Sequence, residues 1–158
     1  MPRDDMLPAV VPVGRFLIQT GYLIVALSHL AVYPSGCMLE VQISGKAGGH
    51  GPQIHSHDAF DRLVFAVRFG AEITAVMDGW HHIARNKGPL QLSQAGSECG
   101  ESASRADSSL WLWLHPLPPA QTGELSIIAP DLGPQLGACP LDGQAIADAA
   151  NHAQPYWL

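Results

Sequence analysis

The densest chemistry in the chain lies between residues 50 and 61, where His55-Ser56-His57 is preceded by His50 and followed by Asp58 and Asp61. In an extended segment, residues two apart project to the same side. The His55 and His57 imidazoles can therefore reach one ion, with Asp61 supplying a carboxylate. That donor set suits zinc or another divalent transition metal. A second pair, His81-His82, sits on another polar stretch and would add nitrogens if the two loops share an end of the fold. The competing reading is a set of solvated histidines. Adjacent His-His seldom chelates one ion through both rings, and no HExxH spacing supports a site. No cofactor is therefore expected, with a divalent metal at His55, His57 and Asp61 as the alternative.

Other chemistry is sparser. Serines are numerous, but no GxSxG occurs. Cys37 opens an alternating apolar run and reads as a buried thiol rather than a nucleophile. Cys99 lies in a polar stretch with only Arg105 nearby to favour its thiolate. The glycines at 45, 48, 49 and 51 lack the GxxxxGK[ST] order of a phosphate loop. Trp111 and Trp113 can stack on a sugar or another planar ligand, or fill the interface between a sheet and a helix. With no catalytic constellation in sight, an enzyme is the less favoured expectation.

These residues must be positioned mainly by strands. Residues 37–44, CMLEVQIS, alternate, with Cys37, Leu39, Val41 and Ile43 facing inward. Residues 62–69 place Leu63, Phe65, Val67 and Phe69 on one face, and 71–77 form a further strand. Residues 10–19 are β-rich, with Pro12 and Gly14 marking an edge or bend. Residues 22–33 fit a helical stripe or a strand, and their β-branched content with the Tyr33-Pro34-Ser35-Gly36 turn favours strand. Residues 90–94 and 123–129 complete the set, and Leu132–Cys139 reads as a connection with a short edge strand. Asp142 can cap a helix running from Gly143 to about His152. The aromatic tail at 156–157 is expected to pack back on the body.

The strand at 110–114 is unusual. Leu110, Leu112 and Leu114 point one way and Trp111 and Trp113 the other, so neither side is polar. Its second face needs a cover from the C-terminal helix, a loop or another subunit. The segments 45–61 and 95–109 show no apolar period and read as flexible loops, and the Trp80–Pro89 stretch as a polar connection. The expected architecture is a single domain over 1–158, mainly β. It is an antiparallel sandwich of seven or eight strands with one short C-terminal helix.

Composition bounds the partners. The 158 residues are 47% hydrophobic but only 14% charged, against about 25% charged in ordinary domains. A charge-poor surface is less protected against association, which points to a homo-oligomer or a protein partner. The net charge of −6 and the scattered basic residues disfavour nucleic acid. The most apolar stretch, 16–33, is interrupted by Gln19, Thr20, Gly21, Ser28 and His29, so no membrane span is expected. No leader is legible at 1–13, and three widely spaced cysteines make no disulfide framework. Both point to the cytoplasm. The functional expectation is a non-enzymatic binding or assembly module. The alternatives are the metal site above and a small-ligand protein with a pocket lined by Trp111 and Trp113.

Several segments together carry a resemblance: Val32-Tyr33-Pro34-Ser35-Gly36, Trp111-Leu112-Trp113 with Pro116-Leu117-Pro118-Pro119, and Leu141-Asp142-Gly143-Gln144-Ala145-Ile146 followed by Ala149-Ala150 and Trp157. In these the chain resembles a family of small β-rich proteins seen mainly in actinobacteria and known only as uncharacterised. The resemblance spans most of the chain and implies a fold but no reaction. The His-rich loop at 50–57 and the Ser-rich 97–109 stretch depart from that pattern.

Overall fold

A computed structural model describes residues 5–46, 63–78, 83–102, 105–129 and 135–157. Alternating apolar residues fold as the sequence suggests, into two antiparallel sheets over one interior. The first sheet holds β2 (Ala9–Gln19), β3 (Leu23–Tyr33), β4 (Gly36–Lys46), β9 (Arg105–His115) and β8 (Gln91–Glu101), in the order β2-β3-β4-β9-β8. The second holds β11 (Gln135–Asp142), β10 (Thr122–Ala129), β5 (Val64–Phe69), β6 (Ile73–Asp78) and β7 (Ile83–Lys87), in the order β11-β10-β5-β6-β7. A short ribbon pairs β1 (Met6–Leu7) with β12 (Gln154–Pro155). Among the described residues the two sheets hold ten strands, against the seven or eight expected, in the antiparallel sandwich with one short helix that the sequence implies. Among the described residues, no helix is long and apolar enough to cross a membrane.

The core follows from the period of two. Leu39, Val41 and Ile43 of β4 lie in register with Leu112, Leu110 and Ser108 of β9. The facing sheet supplies Phe65, Val67, Phe69, Leu125 and Ile127, all buried. Burying such side chains contributes roughly 1.5–3 kcal/mol each. Residues 22–33 resolve as strand, because Leu23, Val25 and Leu27 must share the inner face with Leu30 and Val32. The step of three from Leu27 to Leu30, both buried, breaks the alternation. A β-bulge between Leu27 and His29 absorbs the change.

Three expectations fail for identifiable reasons. Residues 95–101 and 105–109 are strand rather than loop. They are most of a hairpin in which Glu98, Cys99 and Gly100 pair with Ser109, Ser108 and Asp107. On β8 residues 97–100 are all exposed, and the buried positions beside them on β9 are the small Ala106 and Ser108, so no large apolar residue marks the ladder. The Trp80–Pro89 connection contains β7, an edge strand paired to β6 on one side. The edge strand expected within Leu132–Cys139 is present and longer: β11 runs from Gln135 to Asp142 and tolerates Pro140 because an edge need not donate every N–H. The C-terminal aromatics do not pack inward either: Tyr156 is 54% and Trp157 80% exposed. The tail is held instead by backbone, with the Tyr156 N–H donating to the Asp5 carbonyl at 2.8 Å.

The helix α1 (Gly143–Ala150) lies against β2, β3 and β10. Asp142 caps it by accepting from the Ala145 N–H at 3.1 Å. Ile146 enters the core, with Ala149 and Ala150 packed beside it. Gly143 donates to the Gln121 carbonyl at 3.0 Å, and a Cβ there would collide with the carbonyl oxygens of Pro119 and Gln121. Removing the cap with Asp142→Ala should lower stability by about 1 kcal/mol. Gly143→Ala should cost about 2 kcal/mol, since backbone rather than a movable side chain must yield. Urea denaturation of the two variants checks the order.

Candidate functional site

The chemistry collects on the outer face of the β2-β3-β4-β9-β8 sheet, and the strand register sets its layout. His29 pairs with Glu40 across β3 and β4, Glu40 with Trp111 across β4 and β9, and Trp111 with Gly96 across β9 and β8. The next row runs Ala31, Met38, Trp113 and Ser93. Directly opposed side chains on one face are close enough to interact. The face therefore grades from an aromatic end through a His–Glu centre toward Gln42 and Ser109.

The two tryptophans have different surroundings. Trp113 is only 2% exposed although it points away from the core. Its cover is neither the helix nor the sheet–helix interface, since α1 packs on β2, β3 and β10. Neighbours on the same face enclose it. Tyr33 meets it edge-on at 5.9 Å between centroids, and His115 stacks at 6.1 Å. The indole fills the space left by Gly36, where a Cβ would come within 2.8 Å of the Trp113 ring. Gly36 is thus a packing requirement as well as the end of the Pro34-Ser35 turn. Trp111 is half-buried. Its ring leans over Gly96, which offers no side chain to cover it.

At the centre of the face, His29 Nε2 lies 3.0 Å from Glu40 Oε2, with the two side chains 35% and 20% exposed. The other ring nitrogen, Nδ1, lies 3.1 Å from Ser28 Oγ. Leu27 and Leu30 are both buried, so the bulge turns Ser28 and His29 outward together. In the sequence Ser28 and His29 stand out only as interruptions of an apolar stretch. Two consecutive polar residues breaking an otherwise alternating run are the signal that could have shown them. Bulges commonly re-aim side chains beside functional sites.

Away from the centre, Asp107 accepts from Ser44 Oγ at 2.6 Å and from Arg105 Nε at 2.6 Å. The Ser44 hydrogen bond, aided by the Arg105 guanidinium, holds its carboxyl below the usual aspartate value. A cleft of about 350 Å³ opens on the other side of the sheet, lined by residues including Arg15, Leu30, Thr122 and Asp142. It includes neither tryptophan.

The metal candidates His55, His57 and Asp61 lie outside the described residues, as do His50, His81 and His82. Among the described residues, no three His, Cys, Asp or Glu side chains gather as a group able to hold a metal. Cys37 is buried, as its place in the alternating strand implied, and burial pushes its thiol up to about 12. Cys139 is buried and raised too, with Arg15 opposing the shift. Cys99 is exposed on β8.

These environments make checkable differences. In the native protein a thiol reagent should modify Cys99, whereas Cys37 and Cys139 should react only on unfolding. Cys37 binds its proton more tightly when folded, so it adds stability below about pH 9 that is lost as pH rises toward 12. Cys37→Ala should flatten that alkaline decline in a denaturation series. Trp113→Ala should cost about 3–5 kcal/mol, and Trp111→Ala clearly less.

Set against protein-family models, curated proteins and solved structures, the chain matches none.

Proposed function

We propose that this chain is a binding β-sandwich module whose recognition surface is the outer face of the β2-β3-β4-β9-β8 sheet, centred on Trp111. The observation that carries this reading is the row His29–Glu40–Trp111–Gly96, in direct cross-strand register. It sets a half-buried indole beside an acid and an imidazole in ion-pair contact, with no side chain at the fourth position. An indole of this kind takes a flat apolar surface, while the acid and imidazole take the polar edge of the same ligand.

The mixed character of the face favours a small ligand over a large protein partner. Protein-docking patches are depleted of charge at their core, whereas here Glu40 and His29 occupy the centre and Gln42 and Ser109 adjoin it. A sugar ring or an aryl group bearing polar substituents fits this pattern. The doubly apolar strand, which first suggested assembly, is accounted for by the Tyr33 and His115 rings enclosing Trp113.

Saturation-transfer NMR against a panel of oligosaccharides and substituted aryl compounds tests the reading. Ring protons of the bound class should show transfer with the native chain. Affinity should fall about tenfold in Trp111→Ala, or about 1.4 kcal/mol, and stay unchanged in Trp157→Ala. Equal signals from both variants would exclude this face as the binding surface.

A further inference from the structure

Ser28, His29 and Glu40 stand in a row, the first two joined by a hydrogen bond and the last two in ion-pair contact, and the row's polarity can be worked out. A carboxylate only accepts hydrogen bonds. At 3.0 Å from Glu40 Oε2, His29 Nε2 must therefore carry the hydrogen. In a neutral imidazole the other nitrogen is then bare. At 3.1 Å from Ser28 Oγ, Nδ1 is left to accept the hydroxyl hydrogen. A hydroxyl whose proton is aimed at a base that a carboxylate holds in one tautomer is the arrangement of an activated nucleophile. The ring nitrogens have exchanged places relative to the serine-protease triad, which is defined by geometry and roles rather than by order in the chain.

The fold supplies this row by a specific device. In a regular strand, one of two consecutive residues would enter the core. The bulge between Leu27 and His29 frees β3 from that rule, and the opposite strand bends at the same level, with a register shift between Pro12 and Arg15 and Gly14 at φ 60°. Ser28 and His29 consequently share the face that carries Trp111. Trp111 stands two strand spacings from His29, about 10 Å.

We infer that Ser28 is an acyl-accepting nucleophile, with His29 as its general base and Glu40 as a positioning residue, acting on esters of flat, ring-bearing groups. Ser28 Oγ attacks the ester carbonyl carbon while its proton passes to His29 Nδ1. The bond to the leaving alcohol breaks, and that alcohol takes the proton from His29. Water, deprotonated by the same nitrogen, then attacks the acyl-serine, releasing the acid and restoring Ser28. No oxidant, reductant or metal is required. The position of the substrate ring toward Trp111 rests on the binding surface proposed above; acylation of Ser28 does not.

The test separates the two. The full chain is treated with an alkyl fluorophosphonate, which has no ring, and the adduct is located by peptide mass spectrometry. An adduct on Ser28 is expected, slowed at least tenfold in His29→Gln and Glu40→Gln and restored toward the native rate in Glu40→Asp. Folding of each variant is checked by near-UV circular dichroism. Trp111→Ala should lose several-fold more of its p-nitrophenyl benzoate cleavage than of its labelling by the ringless probe, while Trp157→Ala should label and cleave at the native rate. No adduct on Ser28 in the folded native chain, or equal labelling without His29, would overturn the assignment of the nucleophile. Native labelling with unchanged benzoate cleavage in Trp111→Ala would overturn only the placement of the ring.

Discussion

The pairing of β4 with β9 constrains the rest of the structure. Their register runs unbroken from Cys37–Leu114 to Lys46–Arg105. Every second residue on both strands is therefore committed to one side. On the inner side this yields Leu39, Val41, Leu110 and Leu112 at the centre of the core. On the outer side the same alternation places Met38, Glu40, Trp111 and Trp113 side by side. A slip of one residue would exchange the two sets, burying Glu40 and exposing the leucines. The fold and the candidate site are thus two faces of one register.

Against that constraint, the irregularities in β2 and β3 stand out. Regular pairing would continue outward through β3, yet Leu27 and Leu30 are both inside. The bulge reconciles the core with the register and leaves Ser28 and His29 on the outer face. The core thereby gains two buried leucines without admitting an unpaired polar residue, which would be costly. At the other end of the face, the absence of a side chain at Gly36 has a comparable effect. It admits the Trp113 indole against the sheet, where Tyr33 and His115 enclose it.

Most of the architecture was legible wherever burial imposes a period of two. The strands around Cys37–Ser44 and Leu63–Phe69, the helix capped by Asp142 and the inward positions of Leu110, Leu112 and Leu114 all follow from it. Strands lacking a buried face were not legible. Residues 97–100 pair along β9 with all four exposed, and β7 is an edge. Hydrophobic period reports packing, and backbone pairing can extend past it. The site was legible in part. Trp111 and Trp113 stood out by type, but their unequal burial depends on Gly36 and Gly96, which carry no chemistry of their own. Ser28 and His29 joined Glu40 only through a bulge, an irregularity that alternation by itself does not place. The His-rich segment at 50–57, chemically the most conspicuous, lies outside the described residues.

One register separates an enclosed Trp113 from an accessible Trp111 on the same outer face. Acrylamide quenching of fluorescence in two single-tryptophan variants, one retaining Trp111 and the other Trp113, tests it most directly. Trp113 should emit at shorter wavelength and resist the quencher, while Trp111 is quenched several-fold more efficiently. Equal quenching of the two, or the reverse order, would contradict the register and the face built on it.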